Sequence, residues 1–127
     1  MKELTREWTR FAEEDYSAVV QLFIEGKNPP YGIVCFHCQQ CVEKYMKAFL
    51  TEHGIEFEKT HRLTPLLDLC LPIHPEWDLH RDALKVLTNF AVISRYPYEV
   101  EVNRKITQNA VDIAIEMREI VRTALGM

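Results

Sequence analysis

Hydrophobic residues recur at intervals of three and four positions through most of the chain. Such intervals place side chains on one face of an α-helix. Two such series occupy the first half of the chain. The first comprises Leu4, Trp8, Phe11, Asp15, Ala18 and Leu22, and it ends ahead of Gly26 and the helix breaker Asn28-Pro29-Pro30. The second comprises Cys35, Cys38, Val42, Tyr45 and Phe49, and it ends near Gly54. We therefore predict two long helices, with Glu43 and Lys47 paired on the solvent side of the second.

The second half of the chain predicts three further helices. Thr64-Pro65 is a helix start signal, and the apolar run that follows ends at Pro72, which gives a short third helix. The fourth helix, ending near Ser94, has the stripe Leu79, Ala83, Val86, Phe90 and Ile93. The fifth has the stripe Ile106, Ala110, Ile113, Met117, Ile120 and Ala124. The predicted fold is all-α: an antiparallel up-and-down bundle of four long helices and one short helix.

Length, composition and charge narrow the class of protein. The 127 residues suit one domain spanning positions 1–127, and 47% apolar residues predict a globular core. The net charge of −4 argues against binding a long nucleic acid, unless the cations gather on one face. No apolar run reaches the length of a membrane span, and the charged start does not resemble a signal peptide, so we expect a cytoplasmic protein.

Three of the four cysteines lie close together, at Cys35, Cys38 and Cys41. Structural zinc sites usually place paired cysteines on a tight turn, whereas these three lie within a predicted helix, and two of them are on its apolar face. A redox pair would need the first thiol at a helix N-terminus in a different fold. We expect free thiols that fill the core, and no metal site.

Asp15 interrupts the apolar face of the first predicted helix. An unpaired buried carboxylate is costly, so one interpretation is that Asp15 meets a cation or several donors inside the bundle. The alternative is a slight rotation of the helix that leaves Asp15 in water at the edge of the interface.

Asn103-Arg104-Lys105 places two cations at the positive end of a helix dipole, which is unfavourable unless an anion lies between them. With Arg95 just upstream, the segment is a candidate phosphate site. The alternative is that both side chains extend into solvent, with the acidic residues at positions 99 and 101 as counter-charges.

Motifs for common enzyme chemistry are missing from the sequence. There is no Gly-x-Ser-x-Gly elbow, phosphate-binding glycine loop or His-Glu-x-x-His, so no cofactor is expected. His61 lies between Lys59 and Arg62 ahead of the third helix and forms a basic group with them. A lone loop histidine is more often a structural hydrogen-bonding residue than a catalytic one.

Four segments of the sequence are informative when they are taken together. They are the helical stretch FHCQQCVEKYMKA at 36–48, Thr60-His61 before the short helix, Arg95-Tyr96-Pro97 after the fourth helix, and Trp8 with Glu14-Asp15-Tyr16 in the first. In their order and spacing these segments resemble the HEPN domain. The resemblance implies a helical bundle, commonly a homodimer, that acts with a small nucleotidyltransferase in a two-component or toxin–antitoxin system. It also implies nucleotide binding or, in many members, metal-independent ribonuclease activity.

The ribonucleases of this family carry an arginine followed after four to six residues by a histidine, and no arginine here meets that condition. Arg95, for example, is followed at those distances by Val100, Glu101 and Val102. Cleavage through a 2′-hydroxyl needs an acid–base group beside a cation, so this departure places catalysis in doubt. His61 acting with Arg95 through space is the remaining route.

The sequence therefore predicts a non-catalytic module that binds a nucleotide or a protein partner. A ribonuclease with a non-standard site and a dimerisation scaffold are the alternatives. The candidate ligand-binding residues are Asp15, Lys44, Lys47, His61, Arg95, Tyr96, Arg104 and Lys105.

Overall fold

The computed structural model describes residues 1–92 and 102–127, and within these ranges the regular structure is helical. The α-helices are α1 (Glu3–Val19), α2 (Tyr31–Glu52), α3 (Leu63–Cys70), α4 (Arg81–Thr88) and α5 (Arg104–Ala124). A π-helical turn, Val20–Ile24, extends α1, and a 3₁₀ turn, Pro75–His80, precedes α4. The predicted all-α bundle is confirmed.

α2 lies at the centre of the bundle and packs against α1, α3, α4 and α5. Residues 45–50 are buried without interruption, which requires neighbours on all sides of the helix. α1 runs antiparallel to α2, since Thr5 bonds to Glu52 at one end. α5 runs parallel to α2, since Tyr45 lies beside Arg122. These directions are those of the second and last helices of an up-and-down bundle.

The predicted face of α2 is confirmed, whereas that of α1 is displaced by about one residue. The buried positions of α1 are Thr5, Thr9, Ala12, Asp15 and Val19. Leu4 and Phe11, predicted to face the core, are 60% and 41% exposed. Small residues on the buried face allow α1 to approach α2 closely, and the contact of Thr5 with Glu52 fixes this rotation.

The fourth helix is shorter than predicted. α4 ends at Thr88, and the residues before Arg81 form the 3₁₀ turn. Leu84 and Leu87 are fully buried, whereas Leu79, assigned to the apolar face, is 75% exposed because it lies in that turn. Ile93 and Ser94 lie outside the described residues.

Cys35, Cys38, Cys41 and Cys70 are all free thiols with no exposed surface, as predicted for core-filling residues. Burial raises the pKa of the Cys70 thiol to about 12 and raises those of the other three.

Across residues 1–92 and 102–127, none of the helices combines the length and the apolar character needed to cross a bilayer.

Candidate ligand-binding site

Asp15 forms the first of two similar groups of charged side chains on α2. Its carboxylate is 7% exposed and is bound on both oxygens. Lys44 Nζ lies 2.5 Å from Oδ2, and His37 Nδ1 lies 2.7 Å from Oδ1. The prediction that Asp15 meets a cation inside the bundle is confirmed. Because the carboxylate only accepts, Nδ1 of His37 donates to it, and Nε2 is the ring nitrogen left for a ligand.

Glu43 forms the second group. Its Oε2 lies 3.1 Å from Lys47 Nζ, and its Oε1 lies 3.0 Å from His61 Nδ1. The amide of Gln39 donates both to Glu43 and to the backbone oxygen of His61, which joins α2 to the segment before α3. Each group therefore consists of one carboxylate bound by a lysine and by the Nδ1 atom of a histidine.

The prediction that Glu43 and Lys47 face solvent is wrong, since their side chains are only 4% and 8% exposed. The ammonium of Lys47 lies 5.6 Å from the ring centre of Trp8 and 5.8 Å from that of Phe57. These rings cover Lys47 and stabilise its charge by cation–π attraction. Lys47 is thus held by packing, whereas the Lys44 side chain is 24% exposed.

A third ionic group joins α1 to α5. Arg118 donates to both oxygens of Glu13 at 2.7 and 2.6 Å, and Arg122 lies 3.7 Å from the same carboxylate. The hydroxyl of Tyr45 donates to Glu13 and accepts from Arg122. The hydrogen bonds from Arg118 lower the pKa of Glu13, while burial and the adjacent Glu13 raise the pKa of Tyr45.

Arg104 and Lys105 lie at the start of α5. The guanidinium of Arg104 lies 5.4 and 5.6 Å from the ring centres of Phe23 and Tyr31. Along α2, Tyr31 precedes His37 by six residues and Lys44 by thirteen, which corresponds to about 9 and 20 Å. Arg104 therefore packs on aromatic rings near the start of α2, about 20 Å along the helix from Lys44.

Two of the predicted site residues, Arg95 and Tyr96, lie outside the described residues. Of the others, Asp15 is brought together with Lys44, and Lys47 is linked to His61 through Glu43.

His37 is the residue that the sequence analysis missed. It lies seven positions before Lys44, so the two share one face of α2. This spacing, taken with the isolated carboxylate of Asp15, was the feature of the sequence from which the role of His37 could have been predicted.

A groove of about 400 Å³ lies between the 3₁₀ turn and the end of α5, and His74, Trp77, Glu119 and Ile120 contribute to its lining. The rings of His74 and Trp77 stack in parallel with their centres 4.5 Å apart. None of the predicted ligand-binding residues within 1–92 and 102–127 contributes to this groove. In the described part of the chain, no group of three His, Cys, Asp or Glu residues could hold a metal ion.

Comparison with known proteins identifies the family. The model of the HEPN domain matches residues 5–124. A crystal structure described as an archaeal HEPN homologue superposes with a TM-score of 0.70 at 25% identity, and the match covers 98% of each chain. No curated protein matches the chain. The match over nearly the full length of the chain shows that it belongs to the HEPN domain family.

Proposed function

We propose that the protein is a non-catalytic HEPN module of the cytoplasm that binds a nucleotide or a protein partner. In this proposal it acts with a nucleotidyltransferase in a two-component system of the toxin–antitoxin kind. The observation that supports binding is the group of Asp15, His37 and Lys44, in which a buried carboxylate orients two partly exposed nitrogen-bearing side chains. Prearranged donors of this kind favour an anionic ligand because little side-chain freedom is lost on binding.

The test of nucleotide binding is a thermal-shift screen of the full chain against nucleoside mono-, di- and triphosphates. A ligand that binds only the folded state raises the melting temperature by mass action. We expect a selective, concentration-dependent increase with at least one nucleotide. The absence of any shift at millimolar concentration would favour the dimerisation scaffold.

The test of partnership is co-expression with a nucleotidyltransferase encoded beside the gene. We expect the two proteins to elute together at a fixed ratio in size-exclusion chromatography. A neighbouring nucleotidyltransferase that elutes separately would contradict the two-component proposal.

We include a homodimer in the proposal. Leu4 and Phe11 lie seven residues apart on α1 and expose apolar surface on the same side of the helix, where a second copy could cover them. Light scattering should give twice the monomer mass, and Leu4→Gln with Phe11→Gln should reduce it to the monomer mass. A monomeric natural sequence would exclude the dimer.

A metal-independent ribonuclease with a non-standard site is the second candidate. It is favoured by His37, because a histidine held at Nδ1 by a carboxylate is oriented to exchange a proton at Nε2, and Lys44 supplies a neighbouring cation. Cleavage of RNA in the presence of EDTA that is lost in His37→Gln, and growth arrest relieved by Arg95→Ala, would support it. Unchanged RNA would exclude it.

A further inference from the structure

We propose that the phosphate group of the ligand binds between Nε2 of His37 and Nζ of Lys44, on the edge of α2 beside α1. The inference rests on the proposed nucleotide-binding function and assigns its phosphate subsite to two residues. Other candidates in the chain are Lys47, His61 and the cations at the start of α5.

The first argument is convergence. His37 and Lys44 lie two helical turns apart on one face of α2, yet both side chains reach the same carboxylate, at 2.7 and 2.5 Å. Asp15 comes from α1 and is buried, so it fixes both side chains before any ligand arrives. Lys44 uses one of its three N–H donors on Asp15, and His37 uses Nδ1–H. The two other donors of Lys44, together with Nε2–H of His37 in its imidazolium form, can serve one phosphate.

The second argument is access. The side chains of His37 and Lys44 are 27% and 24% exposed, so they are fixed by protein contacts and still meet solvent. Lys47, in contrast, is 8% exposed beneath Trp8 and Phe57. Among the lysines of the two groups, Lys44 is therefore the one that can contact a ligand.

The third argument is charge. Lys44 balances the charge of Asp15, and a protonated His37 on the same carboxylate makes this group net positive. Glu13, two residues earlier on α1, faces two further cations, Arg118 and Arg122, while Glu14 is paired with Arg10. These groups lie in a chain whose net charge is −4. A small anion is therefore favoured locally, although the whole molecule repels a polyanion.

The first experiment follows the side-chain nitrogens of the full chain by NMR during titration with inorganic phosphate, adenosine 5′-monophosphate and adenosine. We expect the two phosphate-bearing compounds to shift the imidazole signals of His37 and the ammonium signal of Lys44. Adenosine, which lacks the phosphate, should leave both unchanged.

The second experiment measures affinity in His37→Gln and Lys44→Met by calorimetry. Loss of one charged hydrogen bond should weaken binding of the monophosphate by about tenfold or more. The matched controls are His53→Gln and Lys85→Gln, which remove exposed residues elsewhere and should bind as the natural sequence does. If a variant fails to fold, the NMR titration of the natural sequence decides whether His37 and Lys44 contact the phosphate.

The possible outcomes distinguish a failure of the proposed subsite from a failure of the proposed function. Nucleotide binding that leaves His37 and Lys44 unshifted, with unchanged affinity in both variants, would overturn the subsite and retain the function. Inorganic phosphate that shifts both residues without any nucleotide binding would retain the subsite and overturn the function. No response to phosphate or to the monophosphate at millimolar concentration would overturn both.

Discussion

The ion pair between Glu43 and Lys47 is almost fully removed from water. Burial of two charges costs free energy, which their mutual attraction and hydrogen bonds offset only when both partners are present. Here Gln39 and His61 also bond to Glu43, and two aromatic rings cover Lys47. We therefore expect the pair to contribute little net stability while both partners are present.

Substitution at Glu43 tests this interpretation. Glu43→Leu should lower the free energy of unfolding by about 3 kcal/mol, because it leaves the Lys47 ammonium buried without its carboxylate. Adding Lys47→Met should recover most of that loss. Chemical denaturation of both variants measures the difference. A double variant that is less stable than the single one would show that the pair itself contributes strongly to stability.

The cysteine thiols should be inert in the folded protein. All four are buried, and burial raises the pKa of each, so little reactive thiolate is present. With a thiol reagent at pH 8, we expect four slow reactions in the native state and four fast ones in denaturant. Fast reaction of one thiol in the native protein would contradict its burial.

At the scale of the helices, the sequence predicted α2 and the core of α5 better than α1 and α4. Cys35, Val42 and Phe49 of α2 and Met117 of α5 are buried as their spacing indicated. The apolar pattern of α1 failed because side-chain size and hydrogen bonding fixed its rotation: Thr5 is buried while the larger Leu4 is exposed.

Much of the candidate site could not be predicted from spacing within one helix. Asp15 was singled out because it broke an apolar series, but its partners lie 22 and 29 residues away on α2. Sequence patterns describe which face a residue occupies, and they do not identify the partner helix or its register. For this reason the isolated carboxylate was predicted while His37 was missed.

Gly26 and Gly32 provide a matched pair of substitutions near the ends of two helices. A Cβ at Gly26 would lie 2.1 Å from the backbone oxygen of Leu22, which cannot move aside without distorting the π-helical turn. A Cβ at Gly32, in the first turn of α2, meets nothing within 4 Å. Gly26→Ala should therefore destabilise the protein, by about 1 to 3 kcal/mol as in overpacked sites.

The control, Gly32→Ala, should instead stabilise the protein by about 0.5 to 1 kcal/mol, because alanine favours the helix. The melting temperatures of the two variants show whether Gly26→Ala lowers stability and Gly32→Ala raises it. Equal effects would show that the close approach at Leu22 does not constrain the turn.

At the scale of the whole molecule, Glu13 and Arg118 are 105 residues apart in sequence and connect the first helix to the last. Both helices also pack against α2. Because the pKa of Glu13 is lowered by Arg118, its stabilising effect is present above its ordinary pKa of 4.5 and is lost as the pH falls through the lower, folded-state pKa.

Glu13→Gln should therefore reduce stability at pH 7 by roughly 1 kcal/mol, a modest value because the side chain is 35% exposed and partly screened. Below the folded-state pKa the variant and the natural sequence should have the same melting temperature. Thermal unfolding between pH 7 and pH 2.5 measures this convergence, with the exposed Glu14→Gln as control. A difference that stays constant with pH would exclude the ionic contribution.

The central position of α2 also determines how the molecule exchanges its backbone hydrogens with solvent. Local opening cannot expose a helix that four other helices cover, so most of its amides should exchange only when the whole domain opens. The slowest amides of Met46 and Phe49 then report the global free energy of unfolding directly. Since His37 and Lys44 lie on the same helix, a bound anion should slow the exchange of amides far from the place where it binds.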